Sequence, residues 1–460
     1  MHRLSAFCLL ALGLAAGPAL AQDGLLDSSF GIFGTGRNVI AHDLGGGNAD
    51  TLADVVTDAQ GRLYLVATAH AAGSQRRIAV TRLTAGGLLD ESFGAGGSIH
   101  SGEASVTAQR ARLDASGNLV VLGTRRIGDS ADTDFYVCRY DSQGNPVPFA
   151  VTGQCVSIAF DVGVGTWVDV PADLLIDAQG RIVVVGTAGI ASNLARGAMA
   201  RVLPDGALDP AFGTNGKATF DFGDGALTRF TALAPMSGGR YVVVGERGDP
   251  AAENGTSALF ARIGATGAPD PAFMSGQGYG GLSFNLGSPF HRNEAAVAVL
   301  PLANDAMLVV GNADIADGGG RQAAFLTRIP YANFIADDSA FGNGGRVVVA
   351  GGHDLEVNRA LVQSDGRIVL VGTHQATATF ALDLAVLRLL PHGAMDPSFG
   401  QSGRTHLDFV LPGELDFGLG VTLQNGRPVA AGSSLRAGPQ NFDLTVARLV
   451  NDRIFTSPLE

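Results

Sequence analysis

The sequence predicts an all-β fold, a seven-bladed β-propeller built of four-stranded antiparallel blades. Three observations carry this. Three short phrases recur together with a period of roughly sixty residues, which is the mark of a repeat architecture. Each unit holds short β-rich segments, and no sustained helical period appears outside the N-terminus. Glycine supplies 65 of the 460 residues, about twice its usual share, as a fold of tight turns requires.

The first phrase is Leu-Asp-Ser-Ser-Phe-Gly at Leu26. Its phenylalanine returns as Phe93, Phe212, Phe273, Phe341 and Phe399, and in worn form as Pro148-Phe149-Ala150. The second phrase is an Asp-Ala-Gln-Gly-Arg turn followed by an apolar run. Its Gly-Arg pair returns at Arg62, Arg181, Arg240, Arg367 and Arg427, with degenerate versions at Asn118 and Met307. The third is an arginine inside an apolar strand, at Arg82, Arg139, Arg201, Arg262, Arg328, Arg388 and Arg448. These three markers agree on seven units.

In the second unit the strand candidates run 98–102, 105–113, 119–124 and 135–140. They are β-branched or aromatic and bounded by Gly, Asp, Asn or Ser. Runs such as Ile182-Val183-Val184-Val185 are apolar throughout, which is how a strand reads when both its faces are covered. Radial packing of sheets covers both faces and leaves only short edges. An open solenoid is the alternative, and it would need capping repeats. The chain ends instead look complementary. The opening unit has a strand at 37–42 with no arginine strand before it. The last arginine strand, 444–449, has no Phe-Gly phrase after it. Closure into a ring by the N-terminal strand joining the C-terminal blade supplies both.

An aspartate follows the arginine by eight residues in four units: Arg82 with Asp90, Arg201 with Asp209, Arg262 with Asp270 and Arg388 with Asp396. Arg328 and Asp338 stand ten apart. The expectation is a bidentate, partly buried ion pair holding each loop to its strand, with Arg448 meeting Asp27 across the closure. Unit two lacks the acid, and Pro146 is read in its place.

The Leu-Asp-x-Ser-Phe-Gly-x-x-Gly phrase, the Asp-x-x-Gly-Arg-[Ile/Val]-Val-Val-Gly phrase and the Ala-Arg-Leu strand resemble the delta-60 repeat family of bacterial exported proteins. The resemblance spans nearly the whole chain after its first 21 residues. It implies a propeller-like fold and brings no catalytic residue with it.

Met1 to Ala21 reads as a secretory signal peptide: a short basic start, an apolar stretch and an Ala-Leu-Ala cleavage site. Residues 22–460 then form one seven-repeat domain, expected in the periplasm or outside the cell. The apolar run is too short for a membrane span and contains Pro18. Beyond Cys8 the chain has two cysteines, Cys138 and Cys155. In an exported chain an even pair predicts a disulfide, with two buried thiols as the alternative. The net charge is −12 and Lys217 is the single lysine. That argues against nucleic acid or an anionic membrane as a partner and fits a soluble protein, or one that binds cations. A monomer is expected.

Two chain reversals per unit are regular, the Gly-Arg turn and the Phe-Gly phrase, and alternation puts both on one face. The other two reversals vary in every unit and share the opposite face, where binding specificity belongs. Candidate binding residues there are Trp167, which could stack on a sugar, and His291, Arg292, His353 and Asp354. Asp43, Asp161, Asp221 and Asp408 recur where the first variable loop begins. Asx turns account for them better than a metal would. No zinc spacing, nucleophile elbow or calcium-loop pattern is present, and no cofactor is expected. A single tryptophan argues against a quinone-dependent propeller.

The function expected is therefore a non-catalytic binding scaffold for a protein, glycan or cell-surface ligand. A propeller hydrolase or lyase, and a structural envelope protein, are the alternatives. An enzyme should gather three or more His, Asp, Glu or Arg side chains in one concave pocket near the central channel.

Overall fold

The computed structural model describes residues 22–451, apart from 47–48, 129–130, 163–167, 192–193, 223–226, 249–254, 285, 287–292, 316–320, 331–337, 351–353, 376–380, 410–414 and 437–440. The described chain forms seven separate four-stranded antiparallel sheets. From inner to outer strand, blade 1 holds Thr51–Thr57, Leu63–Ala71, Gln75–Leu83 and Ser98–His100. Blade 2 holds Val106–Leu113, Leu119–Arg126, Thr133–Tyr140 and Cys155–Ile158. Blade 3 holds Asp169–Ile176, Ile182–Ala191, Leu194–Val202 and Lys217–Phe220. Blade 4 holds Thr228–Met236, Arg240–Gly248, Thr256–Ile263 and Tyr279–Leu282. Blade 5 holds Glu294–Pro301, Met307–Asp314, Gln322–Ile329 and Arg346–Val349. Blade 6 holds Leu355–Val362, Ile368–Gln375, Leu382–Leu389 and Arg404–Leu407. Blade 7 holds Asp416–Gln424, Arg427–Leu435 and Phe442–Arg448, and takes Arg37–Ile40 as its outer strand. The first strand of each sequence unit is thus the outer strand of the preceding blade.

The ring is closed, so the solenoid is excluded. Arg37 pairs with Ala447 and Ile40 with Leu444, and the inner strands of blades 7 and 1 pack side by side. The core is divided accordingly into seven hydrophobic clusters, one at each junction between neighbouring blades. The apolar second strands follow from this. Ile182 and Val184 face blade 2, while Val183 and Val185 face blade 4, because successive side chains of a strand point to opposite faces.

All seven inner strands carry a β-bulge at the same place: between Leu52 and Asp54, Ala108 and Arg110, Pro171 and Asp173, Phe230 and Ala232, Ala296 and Ala298, Val357 and Arg359, and Gly418 and Gly420. The bulge explains the last glycine of the second phrase. A Cβ on Gly186 would lie 2.2 Å from the Val170 carbonyl, and one on Gly245 would lie 1.9 Å from that of Arg229.

The phrases also form the mortar between blades. Arginine Nε, or Nη2 for Arg262, donates to an aspartate at 2.7–2.9 Å in six pairs: Arg82–Asp90, Arg201–Asp209, Arg262–Asp270, Arg328–Asp338, Arg388–Asp396 and Arg448–Asp27. The carboxylates are shared between partners and are not forked onto one guanidinium. The oxygen left over accepts the backbone N–H two residues on, at Ser29, Ser92, Ala211, Ala272, Ala340 and Ser398. The serine of the phrase bridges both groups. Ser29 Oγ donates to Asp27 at 2.7 Å and accepts from Arg448 Nη2 at 2.8 Å.

Each arginine lies over the phenylalanine of its phrase, at 4.5–5.3 Å from ring centre to guanidinium carbon, in all seven cases. That is cation–π distance. Several reach onward to the next blade: Arg201 Nη1 donates to the Ala265 carbonyl at 2.6 Å and Arg448 Nη1 to that of Ala85 at 2.9 Å. The residue after the phenylalanine does the same through its backbone, as in Gly94 N to Gln143 O at 2.9 Å and Gly213 N to Thr266 O at 2.7 Å.

Candidate functional site

The inner strands begin on the variable face and run toward the regular one, so their side chains define a central bore. The bulges put seven residues at one level: Asp54, Arg110, Asp173, Ala232, Ala298, Arg359 and Gly420. Most of them line a cavity of about 300 Å³. Blades 4 and 5 contribute only methyl groups to this ring, and the charges lie on the other side.

Most of these charges neutralise one another. Arg112 donates to Asp54 at 3.0 Å and to Asp173 at 3.1 Å, and Arg110 reaches Asp173 at 3.3 Å. Both carboxylates also accept backbone N–H groups of a neighbouring blade, Ala111 at 3.1 Å for Asp54 and Leu233 at 3.2 Å for Asp173. This network binds blades together. Arg359 stands apart from it. Its described hydrogen bonds run to the backbone carbonyls of Asn358 at 2.7 Å and Ala53 at 3.3 Å. Its Nε is buried with no hydrogen-bond partner among the described residues.

Above this ring, toward the variable face, the bore widens into a mouth of about 500 Å³ lined by Arg359, Asn358, Gln109, Thr51, Thr107, Thr68, His70 and Arg76 among others. No carboxylate lines it among the described residues. His70 is held below its ordinary value by burial and by the adjacent Arg76, so its imidazole is neutral at pH 7. The mouth therefore gathers three titratable or cationic groups, His70, Arg76 and Arg359, in one concavity beside the channel.

Trp167, His291, Arg292 and His353 lie outside the described residues. Asp354 is at the foot of the blade 6 inner strand, where it accepts the Gln322 N–H of blade 5 at 2.7 Å. It is a junction residue and lines none of the cavities described here. Cys138 and Cys155 stand opposite each other on the third and outer strands of blade 2 and are joined by a disulfide.

A second set of acids on the variable face was not anticipated. Asp50, Asp169, Glu294 and Asp416 open or precede inner strands, and each accepts a backbone N–H from the loop before it: His42 at 2.7 Å, Phe160 at 2.7 Å, Phe284 at 2.8 Å and Phe409 at 3.3 Å. They clasp the necks of the loops that enter the inner strands of blades 1, 3, 5 and 7. Burial, and then the nearby Asp134, Asp161 and Asp132, push Asp169 up to about 7, and burial pushes Asp50 up to about 6.

A raised carboxyl makes the folded state lose stability as pH climbs from the unfolded value near 4 to about 7. Asp169→Asn keeps the acceptor and removes the charge. It should leave stability at pH 4 unchanged and raise it at pH 8 by roughly 1 to 3 kcal/mol. Urea unfolding at the two pH values measures this, and a variant weakened equally at both would contradict it.

The fold and its polar bore define a seven-bladed propeller with a cationic mouth. A family model described as domain of unknown function (DUF5122) beta-propeller matches residues 60–93, 179–212 and 363–399. Each matched stretch runs from the Gly-Arg turn through the second and third strands to the phenylalanine, in blades 1, 3 and 6, so the unit is that of a propeller repeat family. A comparison with curated proteins finds no match. Similar solved structures include the polysaccharide lyase Uly1, at TM-score 0.48 and 8% identity, covering 87% of this chain and 89% of that one. A PL25 ulvan lyase bound to -[GlcA(1-4)Rha3S]- aligns at TM-score 0.48 and 10% identity, covering 89% and 95%. The α-L-arabinanase of Penicillium chrysogenum aligns at TM-score 0.44 and 13% identity, covering 74% and 92%.

Proposed function

We propose that this propeller is an exported binding module that takes an anionic, hydroxyl-rich ligand, an acidic glycan, at the variable-face mouth of its bore. One observation carries the reading. In a chain of net charge −12, Arg76 and Arg359 share a cavity with amide and hydroxyl side chains and no described carboxylate. Arginine suits carboxylate and sulfate groups because its fork matches their geometry. Asn358, Gln109, Thr51 and Thr107 offer the donors and acceptors that sugar hydroxyls use. Export would bring such a site to glycans at the cell surface, and finding the chain in the cytoplasm on cell fractionation would count against that part.

Calorimetric titration with a uronate-containing oligosaccharide and with a neutral one of equal length tests the mouth. The acidic ligand should bind, more weakly as salt rises, and the double variant Arg76→Gln, Arg359→Met should lose at least about tenfold in affinity. Equal binding of the neutral oligosaccharide would overturn the reading. A second reading, a lyase or hydrolase acting on such a glycan, is favoured by the gathering of His70, Arg76 and Arg359 in this one concavity. A neutral imidazole beside two arginines can accept a proton while they hold the anionic group. Under that reading the bound glycan is cleaved, and His70→Ala stops cleavage while leaving binding intact.

A further inference from the structure

Arg139 is the seventh member of the arginine series and the one without a carboxylate. In the other blades the residue whose backbone N–H donates to the arginine carbonyl is the paired aspartate, as with Asp90 to Arg82 at 2.9 Å and Asp209 to Arg201 at 2.8 Å. In blade 2 that residue is Val147, whose N–H reaches the Arg139 carbonyl at 2.8 Å. Pro146 instead takes the place of Leu89, as the bridges Tyr140–Pro146 and Leu83–Leu89 show. The aromatic half of the arrangement is intact, with Arg139 at 4.5 Å over Phe149.

The guanidinium is left short of acceptors. Its Nε is buried with no hydrogen-bond partner among the described residues. Its one described hydrogen bond runs from Nη2 to the Pro148 carbonyl at 3.3 Å. It lines a cavity of about 330 Å³ between blades 1 and 2, together with His100, Tyr140, Pro146, Gln154 and Cys155. The one carboxylate in that wall, Glu103, is engaged by Arg125 at 2.7 Å and by the Tyr136 hydroxyl.

We infer that Arg139 binds a carboxylate supplied from outside the chain, that of a small organic acid, in the position aspartate fills in the other six blades. The chain itself shows what the guanidinium donates to: six copies of the same arginine on the same phenylalanine hold a carboxylate. A cation kept partly from water gains most from a charged acceptor. This site is separate from the mouth of the bore and does not depend on it.

Propionate, with propionamide as the uncharged isostere, probes the site on the whole protein. Titration followed by the ¹⁵N-labelled arginine Nε–H resonances should show saturable binding of propionate and none of propionamide. Val147→Asp supplies the missing acid from within. It should lower propionate affinity at least tenfold and raise the thermal midpoint without ligand, and Arg139→Gln should abolish binding. Equal binding of propionamide, or a Val147→Asp protein that binds propionate as well as the parent, would overturn the inference. Loss of binding in Arg359→Met but not in Val147→Asp would place the acid at the mouth and overturn it too.

Discussion

Asp27→Asn is expected to lower the unfolding free energy by about 3 kcal/mol in urea denaturation near pH 7. Asp27 sits between Arg448 at 2.7 Å and Arg427 at 2.6 Å, where the chain closes on itself. Removing its charge leaves Arg448, only 7% exposed, with neutral acceptors and no carboxylate partner. The aspartate is held below the usual carboxylate range, because the bonds from Ser29 and the charges of Arg448 and Arg427 outweigh the effect of burial. The stabilisation is therefore fully present above about pH 4, the unfolded value, and fades as pH falls through the lower folded value. The same repeat provides the control. Asp338 and Arg328 make the same 2.7 Å contact, but their side chains are 30% and 25% exposed. Asp338→Asn should cost about 1 kcal/mol or less. Equal losses at the two positions would show that burial does not set the strength of these pairs.

Phe212→Ala should cost about 3 to 5 kcal/mol. Its ring is fully buried and lies under Arg201 at 4.8 Å and edge-on to Tyr241 at 6.3 Å. It also packs against Gly267 of the next blade, where an added Cβ would come within 3.1 Å of the ring. The substitution thus opens a void at a junction and removes a cation–π contact together. Phe33, 99% exposed, is the comparison, and its replacement by alanine should change stability by no more than about 0.5 kcal/mol. A loss at Phe212 below 1 kcal/mol would mean that the rings are not what joins the blades.

The blade count, the strand order and the closure by the N-terminal strand are all legible in the sequence, because a repeat states its architecture many times over. Single copies can be worn, as at Phe149, without obscuring the rest. The bore was less legible. Asp54, Arg110, Asp173 and Arg359 are charges inside inner strands, but in blades 2 and 6 they stand among other polar residues such as Arg112 and Glu356. Their common level depends on a bulge, and a bulge leaves no residue signature on the strand that carries it. Its trace is the glycine on the strand beside it. Pro146 is not the residue at the vacant acid position beside Arg139. The backbone N–H that reaches the Arg139 carbonyl is that of Val147, eight residues on, as Asp90 is from Arg82. The clasp acids Asp50 and Asp169 were missed because a carboxylate that accepts a backbone N–H across a variable loop follows no fixed spacing.

The way the ring is fastened has a mechanical consequence. Arg37 pairs with Ala447, next to the outgoing end of the C-terminal strand, and Gly24 N reaches Val450 O at 2.9 Å. Both ends of the closing pair therefore leave from the same side. Tension applied through the two termini would load its hydrogen bonds one after another, like a zipper, and not all at once in shear. The propeller should yield to force first at this seam, with blades 1 to 6 still assembled.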